Sequence, residues 1–307
     1  MSRPLTNLLQ SVVLLLMLFG LPALCGFLLF GEEGFWIALA VSLLALAIEP
    51  AAAGPLTLRL YRAQPIPPAV APELWQMLAT LAERAGLPSL PHLHYVPSRV
   101  INAFAVGSRQ SSAIALSDGL LRAMPAREIF GVLAHEVAHI AHGDLCVMTL
   151  ADYVSRLTAM MSLLGQILLL LALPLLLLDA VAIDWLALLL LVLAPHLALL
   201  AQLGLSRVRE FAADATAAEL TGDARGLAQA LARIEGIRIG WRGWLLPGWG
   251  NPQPSWLRTH PPTEERIARL LRLEGDGSLS WSGQIVRLPV AMVQQAPPRW
   301  RLGGYWW

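Results

Sequence analysis

HEVAHIAH, residues 135–142, puts three histidines and a glutamate into eight positions. On an α-helix, residues four apart share a face, so His135 and His139 can aim at one ion. Glu136 then projects beside that ion without entering its coordination shell, placed to take a proton from a water activated there. His142 faces roughly the same way, but seven residues rise about 10.5 Å along a helix axis. Zinc bonds of about 2.0–2.1 Å cannot converge from all three positions. His142 is therefore not the third ligand of a regular helix. The extended pattern HExxHxxGxxH requires Gly at 142 and His at 145, where this chain has His142 and Leu145. Upstream, EIFGVLA supplies the apolar residues that bury the back of the helix.

A catalytic zinc takes three protein ligands and keeps one position open, so a further ligand must come from outside this helix. His92, His94, His196 and His260 are available, as is the run SRVREFAADA at 206–215. There Glu210 and Asp214 are four apart on one helical face. Glu210 can ligate while Asp214 holds a ligating histidine by a hydrogen bond.

The surroundings are those of a membrane protein. The chain is 56% hydrophobic and 14% charged, with a mean hydropathy of +0.58, against about 25% charged residues in soluble domains. Its 22 basic residues are all arginine, and a net charge of +1 gives no reason to expect a nucleic-acid partner. Cys25 and Cys146 lie in apolar surroundings, unlike a disulfide framework or thiolate site. Leu8–Phe30 is uncharged over 23 residues, enough for the roughly 30 Å hydrocarbon core; a cleaved leader ending near ALCG (23–26) is the rival reading. A second span opens at Phe35, is interrupted by Glu49 and Pro50, and must tilt or end near Gly54. Leu157–Leu178 and Trp185–Leu205 form a third and fourth, joined by a turn at 179–184, with His196 expected to face the bundle. Arg3, Arg59, Arg62, Arg156, Arg207 and Arg209 flank the spans on one side, while the two connecting turns carry only acidic residues. The positive-inside rule then puts both termini and both polar segments in the cytoplasm.

Within residues 55–156, Pro72–Ala85 predicts an amphipathic helix with Leu74, Met77, Leu78 and Leu81 on one face. HLHYV (92–96), VINAFAV (100–106) and SAIAL (112–116) read as short strands, and a helix starts at Ala126. Another helix is expected over Pro262–Leu273, and a hairpin around Trp281–Leu288. Trp241, Trp244, Trp249 and Trp256 sit in a Gly/Pro-rich loop, read as an interfacial anchor in preference to a lid. The spacing has a consequence. His139 to Leu157 would span about 27 Å as helix and Leu205 to Glu210 only about 7.5 Å. For both ligands to meet, the chain must break near Gly143–Asp144 or bury LCVMTLADYV early, and the site must lie close to the membrane surface.

HEVAHIAHGD, a two-span hairpin, SRVREFAADA and RTHPPTEERI (258–267), in that order, resemble the HtpX-type membrane zinc metalloproteases, relatives of the CAAX prenyl endoproteases and Oma-type proteases. The resemblance runs from about Asn102 to Ile267. It implies one zinc ion per chain held by His135, His139 and Glu210, with Glu136 as catalytic base and Asp214 supporting a ligand. It also implies that His260 is near the oxyanion, and that Asn102, Ala103 and Phe104 form an edge strand beside the substrate cleft. The implied architecture is a predominantly α-helical (α+β) integral membrane protein, with four transmembrane helices and a zincin-like catalytic domain holding a small β-sheet. Its parts would be two N-terminal spans (1–54), a first catalytic part (55–156), a hairpin (157–205), a second catalytic part (206–277) and a tail (278–307). The implied activity is endoproteolysis of membrane or misfolded proteins at the cytosolic face of a bacterial inner membrane, in stress response and quality control. A narrow-specificity processing or signalling protease and a non-catalytic zinc-stabilised scaffold are the alternatives. The partners implied are polypeptides and the lipid bilayer; no oligomeric state follows.

Overall fold

The computed structural model describes residues 3–177, 184–238, 262–273, 300–301 and 305–306. His260, the four loop tryptophans and the expected hairpin at 281–288 lie outside them. The chain divides into two units, Met1–Glu49 with Cys146–Val208 and Pro50–Leu145 with Arg209–Trp307.

The apolar runs are helical: α1 (Arg3–Leu60), α5 (Asp144–Leu177) and α6 (Trp185–Thr221), each lying mostly in the first unit. These are three helices long and apolar enough to cross a membrane. In α1, Gly31 has φ 69° and ψ −150°, a conformation open essentially only to glycine. A side chain added at Gly26 would overlap the carbonyl of Gly34. Eight residues of straight helix would separate those positions by about 12 Å, so the chain doubles back at Gly31. α1 is helical past Pro50 to Leu60. The unit is apolar outside as well as inside. Leu16, Met160, Leu171 and Trp185 are exposed around a core of Leu18, Cys25, Leu150, Ala151, Ala194, Ala198, Ala201 and Leu205. Small residues at 194, 198 and 201 suit the close helix approach of a bundle in lipid. His196 does not face that bundle. It is exposed, and its Nδ1–H can donate to the Val192 carbonyl one turn back, so the ring needs no partner from another helix.

In the second unit the expected strands appear as β2 (His92–Val96), β3 (Ala103–Gly107) and β4 (Ser112–Ser117), with a short β1 (Gln64–Pro65) added. The sheet order is β1-β2-β4-β3; β2 and β4 are parallel and the other pairs antiparallel. Side chains alternate between faces along each strand. Leu93, Ala105, Ile114 and Leu116 enter one cluster, and Phe104, Val106, Ala113 and Ala115 the opposite one beside Leu58 and Tyr61. Both faces are covered, so every residue of β4 is buried.

α2 (Pro72–Arg84) buries Leu74, Leu78 and Leu81 in the first cluster. A short α3 (Asp118–Ala123) follows β4, capped by Ser117, whose Oγ accepts from the Leu120 and Asn102 amides. α4 (Ala126–His142) carries the histidines with its back buried through Ile129, Leu133, Val137 and Ile140. α7 (Ala224–Arg238) packs against it through Leu227 and Leu231. Two arginine forks fasten them, Arg127 on Asp223 and Arg233 on Glu128. α8 (Thr263–Leu273) completes this core with Leu270. α4 stops at Gly143, whose φ of 71° forms a left-handed C-cap, and α5 starts at the next residue. The break at Gly143–Asp144 thus exists, and Leu150, Ala151 and Val154 are buried as well.

Candidate metal centre

His135 and His139 sit one turn apart on α4, and α6 brings Glu210 to them. Nε2 of His135 and Nε2 of His139 are 3.0 Å apart. Glu210 places Oε2 3.4 Å from the first and Oε1 3.4 Å from the second. A tetrahedral zinc with bonds of about 2.0–2.1 Å separates its ligand atoms by roughly 3.3–3.4 Å. The donor set therefore fits zinc in both chemistry and spacing. The rings stand nearly perpendicular, at 87°, and both histidines and Glu210 are largely withdrawn from solvent. Glu136 is buried between the histidines in sequence and contributes no atom to the ligand group.

Behind each ligand stands a second charge. Asp214, one turn beyond Glu210 on α6, has Oδ1 3.0 Å from Nδ1 of His135. Its carboxylate also accepts two bonds of 2.7 Å from the Arg266 guanidinium. Arg266 reaches Glu210 Oε2 at 3.1 Å, although it is only 5% exposed. Burial alone would loosen the proton on this guanidinium, but the Glu210 and Asp214 carboxylates outweigh that and hold it more firmly than usual. Arg266 lies within the RTHPPTEERI run and is not among the residues the resemblance assigns a role. The signal was present: Arg266 lies four residues before the core residue Leu270, on its face of α8. A charge on a buried stripe calls for a charged partner.

The other candidates disperse. His92 is exposed and His94 half-buried on β2, and neither they nor His196 join the ligand group. His142 turns to Thr216, with Nε2 3.2 Å from its Oγ1, outside the ligand set as the helical rise requires. Asn102 is held by its backbone, which exchanges bonds with Ser117. Ala103 and Phe104 lie on β3, which ends the sheet order. Phe104 is 2% exposed, its ring tilted against that of Tyr61 with the centroids 4.9 Å apart. Its side chain is core, and its backbone, two residues on from the Asn102–Ser117 bonds, faces Ala115 of β4; the outward-facing backbone groups are those of Ala103 and Ala105.

The imidazoles set a pH dependence. Burial and the neighbouring His139 push His135 down, but the Asp214 and Glu210 carboxylates raise it above the ordinary imidazole value. For His139, burial is outweighed by Asp144 and Glu210, which raise it well above that value. A raised folded-state value means the stabilisation is complete below about pH 6.5 and fades as pH rises through the folded values. Metal-free protein is accordingly expected to lose thermal stability on going from pH 6 to pH 8. Zinc-loaded protein should keep it, because the ion takes over the protons' charge. Melting curves with and without zinc should diverge steadily over that range; parallel curves would contradict this electrostatic account.

Residues 68–274 match the profile of peptidase family M48. Among curated relatives, a "Protease HtpX homolog" from Acaryochloris marina is 41% identical over 241 residues, covering 71% of this chain and 78% of that one. A second, from Persephonella marina, is 34% identical over 303 residues, covering 86% and 96%. The crystal structure of S. mikatae Ste24p superposes with a TM-score of 0.45 at 21% identity, covering 87% of this chain and 66% of that one, a likeness too loose to bear on the chemistry. The family match spans both histidines, Glu210 and Arg266, and the chain is a metallopeptidase of family M48, HtpX type.

Proposed function

We propose that the protein is a zinc endopeptidase that cuts membrane or misfolded proteins at the cytosolic face of a bacterial inner membrane, as part of membrane-protein quality control. One observation carries the hydrolytic reading: the Nε2 atoms of His135 and His139 and the Glu210 carboxylate lie 3.0–3.4 Å apart and largely withdrawn from solvent, with Glu136 adjacent in sequence to the first. One zinc ion bound there would polarise the scissile carbonyl and lower the pKa of a water toward about 7. Glu136 accepts the proton of that water and returns it to the leaving amine. Asp214 and Arg266 keep His135 and Glu210 in place. His260 is our choice of donor to the developing oxyanion.

A substrate strand would add along β3 and bond to the backbone of Ala103, with Asn102 at the strand's entry and Phe104 anchoring the strand to β4. Strand addition reads main chain more than side chain, which suits a broad range of clients, and the place of β3 at the end of the sheet order favours it. The topology we infer has four crossings, the first two being the arms of α1 on either side of Gly31, with termini and catalytic unit in the cytoplasm. The arginine bias of the flanks supports that orientation. The short step of five positions from Leu205 to Glu210 favours a site near the lipid surface.

The test is cleavage of casein and of a membrane-protein reporter by purified full-length protein, with chelator and with zinc restored. Chelation should abolish cleavage of both, and zinc should recover it. Cleavage that persists in chelator defeats the scheme.

A further inference from the structure

Asp144 closes the HEVAHIAHGD run with no role yet assigned to it, and at 1% exposure it is among the most buried charged groups of the described residues. The left-handed turn at Gly143 throws its carboxylate back onto α4. There Oδ2 accepts from Nδ1 of His139 at 2.8 Å, and Oδ1 accepts from Nη1 of Arg209 at 2.9 Å. The arrangement parallels the one behind His135, where Asp214 is gripped by Arg266. A carboxylate–arginine pair thus stands behind each histidine, and each pair involves a residue of α6 close to Glu210.

We infer that Asp144, braced by Arg209, is a positioning residue for His139. With the carboxylate on Nδ1, that nitrogen carries the ring proton and Nε2 keeps its lone pair. The same bond fixes the ring's rotation, so that Nε2 points toward Nε2 of His135. The negative charge makes the imidazole a stronger donor to a cation. Arg209 does two things: it holds Asp144 in place, and because Glu210 is its neighbour in the chain, it ties the start of α5 to the turn of α6 that presents the carboxylate ligand. This inference rests on reading His135, His139 and Glu210 as the metal's ligands.

The experiment measures zinc affinity of the full-length protein in detergent, by competition with a chromophoric chelator, together with the melting temperature of zinc-free protein and kcat and KM at saturating zinc. Asp144→Ala should bind zinc about 10–100-fold more weakly, with KM unchanged. Asp144→Asn keeps an acceptor oxygen for Nδ1–H but not the charge, and should recover part of the affinity. Parent-like affinity in Asp144→Ala overturns the inference, and so does Asp144→Asn that is no better than Asp144→Ala, because the effect would then be packing. Should Asp144→Ala fail to fold, Asp144→Leu combined with Arg209→Met removes both charges at similar volume; it should melt near the parent temperature and still lose zinc affinity, and parent-like affinity there counts against the inference. His139→Ala separates the two layers of the argument. Zinc retained in that variant overturns the ligand set itself, whereas zinc lost there but kept in Asp144→Ala overturns only the role of Asp144.

Discussion

Replacing Glu136 with Gln should abolish cleavage while zinc stays bound. The amide has nearly the shape of the carboxylate but cannot take a proton from water. A positioned general base contributes about 10²–10⁴-fold, so kcat should fall by at least that range. Glu136 supplies none of the ligand atoms, so zinc affinity in the chelator competition should stay within about threefold of the parent, well short of the 10–100-fold set by a ligand's partner. The loss should appear in kcat more than in KM, because the proton moves on the way to the transition state and not on binding. Cleavage at the parent rate with zinc in place would assign the base to another residue.

Arg266→Met carries the second large effect, and it falls on the fold. Arg266 is buried between Asp214 and Glu210 and forks onto the former. Methionine fills similar space but leaves two buried carboxylates without their cation. Breaking one side of a buried ion pair costs about 3–5 kcal/mol. Bound zinc offsets part of this, since it brings positive charge to Glu210. The melting temperature should therefore drop more in zinc-free than in zinc-loaded protein. Arg266→Lys should restore only part of the stability, because an ammonium cannot make two parallel bonds to Asp214. A zinc-free Arg266→Met protein that melts with the parent would show the guanidinium to be dispensable.

The parts of the fold that were legible in the sequence are those governed by short-range periodicity. α4 was readable because His135, His139 and the buried stripe Ile129, Leu133, Val137 and Ile140 obey one helical repeat. β2 and β4 were readable as runs of β-prone residues between turns. β1 was not: it is two residues long, one of them proline. The parallel pairing of β2 with β4 depends on contacts between residues 21 positions apart, such as Leu93 and Ile114, which no local pattern encodes. Glu210 and Asp214 stood out as an acidic pair four apart, yet sequence spacing alone left other candidate ligands open. The charges behind the site were the least visible. Arg266 acts from a separate helix. Asp144 reaches His139 from five residues away, a spacing that no helical repeat produces. Only the reversal at Gly143 makes the contact, and a glycine after a histidine helix reads merely as a stop.

The distance in sequence between the ligands also orders events in time. His139 and Glu210 are separated by 71 positions, most of them in apolar helix. At synthesis rates of about 5–20 residues per second, roughly 4–14 s pass between the two leaving the ribosome. Arg266 follows 56 positions later still. A partly made chain has its two histidines but no third ligand and no buried cation to steady one. The peptidase thus completes its ligand set only once α6, the helix that carries Glu210, has been made.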